Sequence, residues 1–338
     1  MKRAVILGGT GVLGRAIAGR LLESGWSVDV TGRESSKMPQ DLLNAGGRFL
    51  ASERHSDAQL ANVLRTGADL LVDAACYTAE DARELLPHLG NVDSAVMLSS
   101  KAVYVDAAGN HVNSDIRPFF DSPIAESQAT LMPGNGGYDS PEGYGPNKVA
   151  AEQVLLDCGA PVTVVRASKV HGAGAGPPRE WMFVKRILDN RPALVLAQAG
   201  RGGDHTTAAV NTAALIETIA SNPGRRILNS ADPDTPTVLE IARTIAAYLH
   251  HGWEEILLED DAGHGLGAHP WDYLPPLALD TSASLALGYR PVGTFAETIP
   301  LEIDWLLASP ENRPKSGDPY FAPFTDYGAE DDFLRTRR

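Results

Sequence analysis

The chain has 338 residues, 43% hydrophobic and 21% charged, with a formal net charge of −14, which suits a soluble globular protein with one large α/β unit or two modest domains. The acidic balance and the lack of a basic stripe argue against a nucleic-acid partner, and no apolar run reaches the length of a membrane span. Cys76 and Cys158 are the only cysteines; their unrelated contexts exclude a disulfide framework or zinc site, and no metal is expected.

The N-terminus, MKRAVILGG, lacks the features of a signal peptide and reads as a strand, so a cytoplasmic protein is expected. Ala4–Leu7 is an unbroken apolar run, the pattern of a strand buried on both faces of a parallel sheet. GGTGVLG follows, then a helical period in Leu13, Ile17 and Leu21, with Gly25 placed to end the helix and SVDV resuming a strand. The glycines at 8, 11 and 14 suit a dinucleotide turn. Gly8 permits the tight turn, Gly11 lets backbone approach a pyrophosphate, and Gly14 lets the helix pack on the strand. No lysine follows as a phosphate-binding loop of an NTPase requires. At the tip of the second strand, TGRESSK puts Gly32 and Arg33 where an NAD site usually has an acid. Arg33 can pair with a 2′-phosphate, so the expected cofactor is NADP(H), with NAD as the alternative.

ADLLVDAACY (68–77) is another buried strand, with small residues at its carboxyl end, where ligands lie in such sheets. SAVMLSSKAVY (94–104) is a strand ending in Ser99 and Ser100. The long Gly-, Pro- and Asp-rich segment from Tyr104 to Tyr144 reads as a substrate-side cover. Within YDSPEGYGPNKVAAE (138–152), Tyr144 has a lysine four residues on, Lys148, and Tyr138 has none. Pro146 marks the helix start, and the helix continues to Gly159.

GGTGVLG, SSKAVY and YGPNK as a set resemble the extended short-chain dehydrogenases/reductases, in the NAD(P)-dependent epimerase/dehydratase branch. The likeness extends more faintly to about residue 305 through VVRASKVHG, LNSADPDTPTVLEIA and LDTSASLALGYRPVGTFAETI. It implies an α/β fold: a Rossmann-type doubly wound parallel sheet with a smaller C-terminal substrate-binding lobe. It implies that Tyr144 is the general acid/base and that Ser100 hydrogen-bonds the reacting oxygen. Lys148 would hold the nicotinamide ribose and depress the tyrosine pKa. A free tyrosine titrates near pH 10, so deprotonation near neutrality needs a shift of about three units, roughly 4 kcal/mol. Lys148, one helical turn away, and the cofactor's positive ring are the sources of that shift. Expected cofactor contacts are Gly8, Thr10, Gly11, Val12, Leu13, Gly14, Arg33, Glu53, Ala74 and Ala75, with Tyr144 and Lys148.

Sugar-nucleotide dehydratases of the branch carry Asp-Glu after the residue matching Ser100; Lys101 and Ala102 stand here instead, which argues against dehydration. The expected divisions are a nucleotide-binding domain at 1–170, a substrate lobe interleaved with it at 171–308, and a C-terminal tail at 309–338. Lys101, Arg179, Trp181 and His205 are candidate substrate contacts; Lys101 can equally be a solvated lysine, Arg179 and Trp181 can equally mark a helix start with a packed tryptophan, and lone histidines such as His171 and His205 are more often structural. Thr237 with Glu240 and Thr294 with Glu297 match capping boxes, and the aromatics of the tail suggest that it packs in part on the body. The expected activity is hydride transfer at a secondary alcohol or ketone carbon of a polar small molecule, a sugar nucleotide among the candidates. The rivals are an epimerase without net redox change and a non-catalytic NADP(H)-sensing regulator. The family likeness also implies a homodimer.

Overall fold

The computed structural model describes residues 1–259, 265–325 and 327–337. The chain begins with β1 (Arg3–Leu7), α1 (Val12–Glu23), β2 (Ser27–Gly32), α2 (Gln40–Asn44), β3 (Arg48–Ala51), α3 (Asp57–Leu64), β4 (Ala68–Asp73) and α4 (Ala79–Leu85). It continues with β5 (Val92–Ser100), α5 (Pro141–Asp157), β6 (Val162–Ala167), β7 (Lys169–His171), α6 (Trp181–Leu188), β8 (Ala193–Leu196) and β9 (Thr206–Ala208). Then come α7 (Ala209–Ser221), β10 (Arg226–Ser230), α8 (Val238–Tyr248), β11 (Glu254–Leu257) and α9 (Ser282–Ala286). The last elements are α10 (Phe295–Thr298), α11 (Pro300–Ala308), α12 (Ala322–Thr325) and α13 (Gly328–Thr336).

Two compact units divide these elements. The first comprises Met1–Ser168, Ala209–Ala231 and Leu279–Val292; the second comprises Lys169–Ala208, Asp232–Ala278 and Gly293–Arg338. The first unit holds a seven-stranded sheet in the order β10-β6-β5-β4-β1-β2-β3, every pairing parallel. This is the doubly wound Rossmann-type arrangement, reversing direction at β1 and β4, where such sheets bind ligands. The apolar run of β1 divides between two cores. Ala4 and Ile6 face a cluster with Ile17, Leu21, Leu215 and Ile219, whereas Val5 and Leu7 face one with Leu60, Leu71, Met97 and Leu155. Side chains alternate across a strand, so a sheet covered on both faces needs apolar residues at consecutive positions.

The buried aspartates of β2 and β4 have charged partners. Asp29 of β2 is fully buried and accepts from Arg3 Nη2 and Arg48 Nε at 2.7 Å each. Asp73, at the end of β4, is held by Arg54 at 2.7 Å.

The second unit contains two short parallel pairings, β7 with β9 and β8 with β11. Its core gathers Trp181, Phe183, Ile241, Trp271, Phe295 and Ile303. The expected capping boxes at Thr237 and Thr294 are formed, and a third, Thr78 with Asp81, opens α4. The C-terminal segment is tied into this unit. Phe321 is buried in the core, and Arg186 and Arg191 both pair with Glu330, at 2.9 and 3.0 Å. Among the described residues, no helix is long and apolar enough to cross a membrane.

Candidate active site

The glycine turn is built as the spacing requires. Gly8 has φ +72°, and a Cβ there would press on Ala75 Cβ at 3.0 Å. Gly14 packs so closely that a Cβ would overlap the Gly9 backbone, which lets α1 rise directly off the turn. Gly11 is the N-cap of α1, with no side-chain cap and no acid in the first turn. The helix therefore presents free N–H groups and an unneutralised positive dipole end to the turn, which suits an anionic pyrophosphate.

Beside the turn lies an open cleft of about 660 Å³. Of the expected cofactor residues, Gly8, Thr10, Arg33, Glu53 and Ala75 line it. Val12 starts α1, while Leu13 and Ala74 pack against the core beneath. Arg33 is exposed at the tip of β2. Its neighbour Glu34 is occupied by Lys37 at 2.8 Å. The cleft also takes in Arg54, Tyr77, Thr78 and Tyr138, which sequence reasoning did not assign to the cofactor site. An aromatic directly after the small residues that end a strand was the available signal for Tyr77.

Ser100, Tyr144 and Lys148 converge at the ends of β5 and α5. Ser140 caps α5 through Gly143 N–H at 3.0 Å, with Pro141 in the first helical position. The helix thus starts earlier than Pro146 suggested. Pro146 lies in its second turn, where its ring withholds the N–H that the Glu142 carbonyl takes in a regular helix. Gly145 lets this turn close onto the chain after Ser100, since a Cβ there would lie 2.7 Å from the Ala102 carbonyl oxygen. Tyr144 lies beside Ser100. Lys148 is buried and donates to the carbonyls of Cys76 at 2.7 Å and Leu98 at 3.0 Å.

The electrostatics differ from the expected depression of the tyrosine. Burial pushes the Tyr144 phenol above its ordinary value, and the neighbouring Ser100 works the other way. Lys148 lies 5.8 Å from the Tyr144 ring centroid but 4.4 Å from that of Tyr77. Its ammonium donates to two backbone carbonyls and lies nearer the Tyr77 ring than the Tyr144 ring. Burial also lowers the Lys148 pKa. Tyr138 stacks on Tyr77 with centroids 5.3 Å apart, and its loop is tied to α5 by Asn147 Nδ2 donating to Gly136 O at 2.7 Å.

The expected substrate contacts divide between the units. Lys101 follows Ser100 in the first unit and is buried rather than solvated. Arg179, Trp181 and His205 lie in the second unit. Trp181 is part of the apolar core there. His205 is buried, with Nε2 2.8 Å from the Asp232 carbonyl oxygen, and His171 Nε2 lies 2.9 Å from Asp232 Oδ2.

Residues 1–257 match the family model described as the RmlD substrate binding domain. No curated protein matches the chain by sequence. Among solved structures, a putative epimerase from Burkholderia cenocepacia J2315 superposes with a TM-score of 0.69 at 19% identity, covering 91% of this chain and 99% of its own. UDP-glucuronic acid 4-epimerase from Bacillus cereus, in complex with UDP-glucuronic acid and NAD, superposes with a TM-score of 0.67 at 15% identity, covering 90% and 99%. dTDP-glucose 4,6-dehydratase from Bacillus anthracis, in complex with NAD, gives 0.66 at 14% identity, covering 93% and 99%. The chain belongs to the RmlD substrate binding domain family and has the fold of the extended short-chain dehydrogenases/reductases.

Proposed function

We propose that this protein is an NADP(H)-dependent oxidoreductase acting at a secondary alcohol or ketone carbon of a polar substrate, with a sugar nucleotide as the favoured class. The observation that carries the reading is the convergence of Tyr144, beside Ser100, and Lys148, buried one helical turn away. Ser100 and Tyr144 together hold the substrate oxygen, and the Tyr144 hydroxyl gives it a proton on reduction or takes one on oxidation. Lys148 has three N–H donors and spends two on Cys76 and Leu98, which leaves the third for a ribose hydroxyl. A bound nicotinamide nucleotide supplies the hydride donor or acceptor. The left-handed Gly8, the open face at Gly11 and the close-packed Gly14 fit such a nucleotide.

Arg33 favours the 2′-phosphorylated form. Its guanidinium can make two charge-assisted hydrogen bonds to a phosphate, each worth about 1.5–3 kcal/mol at best. Exposure at the cleft mouth reduces the combined preference to about 1–3 kcal/mol, or roughly five- to 150-fold for NADPH over NADH. Titration of nucleotide-free protein with both cofactors tests this, and Arg33→Ala should remove most of the preference while sparing NADH binding. An epimerase reading has one observation in its favour, the 4-epimerase bound to NAD among the similar structures. Equal affinities, or NAD retained tightly through purification, would refute the NADP assignment and favour epimerisation.

A further inference from the structure

Three side chains on one face of α5, each four residues after the last, meet three consecutive residues at the end of β5. Tyr144 lies beside Ser100, which draws its pKa down against burial. Lys148 donates to the Leu98 carbonyl at 3.0 Å. Glu152 accepts from the Ser99 hydroxyl at 2.5 Å. The third contact is the most deeply anchored. Glu152 is 2% exposed and Arg166, on β6, 3%. Arg166 reaches the two carboxylate oxygens at 3.1 Å through Nε and 2.5 Å through Nη2. Ser99 and Arg166 are register partners in the sheet. Glu152 therefore ties the helix to two adjacent strands at one level, one turn beyond Lys148.

We propose that Glu152 is a positioning residue: by clamping α5 to Ser99 and Arg166 it fixes the helix face that carries Tyr144 and Lys148, and it supports the Lys148 ammonium from one turn away. The proposal rests on the reading of Lys148 as the ribose-holding residue. A buried ammonium needs nearby negative or polar groups to stay protonated. At the end of β4 and just after it these are Asp73, Cys76 and Tyr77; on α5 the group is Glu152. From β5 the ammonium receives the Leu98 carbonyl, and the Tyr144 ring lies 5.8 Å away. A purely structural clamp would leave the Lys148 titration where it is once the fold is intact.

The test is a pH titration of ¹³C-lysine-labelled protein by NMR, with the Lys148 signal assigned by its loss in Lys148→Met. Glu152→Gln keeps the shape and removes the charge; it should lower the Lys148 midpoint by about half a pH unit or more and weaken NADPH binding about tenfold. Glu152→Asp, which keeps the charge, should return the midpoint toward wild type. An unchanged midpoint in folded Glu152→Gln overturns the proposal. Should that variant fail to fold because Arg166 is left as a buried unpaired cation, Glu152→Gln/Arg166→Gln is read against Arg166→Gln alone, where the carboxylate is the one charge that differs, and equal midpoints in those two overturn the proposal. NADPH affinity indifferent to Lys148→Met would refute the cofactor reading alone, because the lysine titration involves no nucleotide.

Discussion

Tyr138 and Tyr144 are neighbours in the chain with different chemistry available to them. Tyr144 is half-buried and lies beside Ser100. Tyr138 is 47% exposed and contributes its ring to a stack on Tyr77. Losing the hydroxyl should therefore matter at one position only. Tyr144→Phe is expected to lower turnover about 100-fold or more, the usual scale for a general acid/base, with NADPH affinity nearly unchanged. Tyr138→Phe keeps the stacked ring and should behave like wild type. Assays of both variants with NADPH against a panel of keto-sugar nucleotides, alongside nucleotide titrations, make the comparison. A crippled Tyr138→Phe beside an active Tyr144→Phe would reverse the assignment.

At the scale of elements, α11 of the second unit carries a buried acid that nothing in the sequence marked. Glu302 is fully buried and accepts from Gly172 N–H at 2.7 Å. Burial, followed by the charge of Glu180 and a hydrogen bond with it, pushes its carboxyl well above the ordinary range. A carboxyl raised on folding holds its proton longer in the folded chain. Its contribution to stability is complete below the ordinary pKa, near 4.3, and is lost as pH rises through the folded value. Glu302→Gln stays neutral, so the variant should gain on wild type progressively as pH rises from about 4.5 to 8, by up to about 1.4 kcal/mol per unit of pKa shift. Thermal unfolding across that range measures it, and a difference independent of pH would contradict the account. The pair was illegible because Glu180 and Glu302 lie far apart in the chain, and an isolated glutamate beside apolar residues reads as a helix surface. β1, the glycine turn and α1 were legible, because local periodicity and turn chemistry alone dictate them. The start of α5 lay between: Ser140-Pro141 is a proper cap and first-turn signal, but Pro146 drew the boundary inward.

For the whole molecule, the order of the chain matters as much as its motifs. The three most specific motifs, GGTGVLG, SSKAVY and YGPNK, all fall before residue 169, yet the sheet they belong to is completed by later segments. β10 pairs with β6 along Arg226–Ser230. Leu215, Ile216 and Ile219 of α7, with Leu228 and Tyr289, are each at most 3% exposed in the core shared with α1 and β1. Full burial of such side chains is worth about 1.5–3 kcal/mol each. Together that is roughly 8–15 kcal/mol, as large as the entire stability of a typical domain, about 5–15 kcal/mol. A fragment of residues 1–168 would hold every residue proposed for catalysis and cofactor binding, but it would expose the part of one sheet face that α7 covers beside α1 and leave β6 as an open edge. It is expected to aggregate or to melt without cooperativity, and to bind NADPH at least tenfold more weakly than the full chain. Circular dichroism melts and nucleotide titration of fragment and full chain decide this. A soluble fragment with a sharp transition and full affinity would mean that the nucleotide fold is complete before residue 169, and that α7 and β10 contribute little to it.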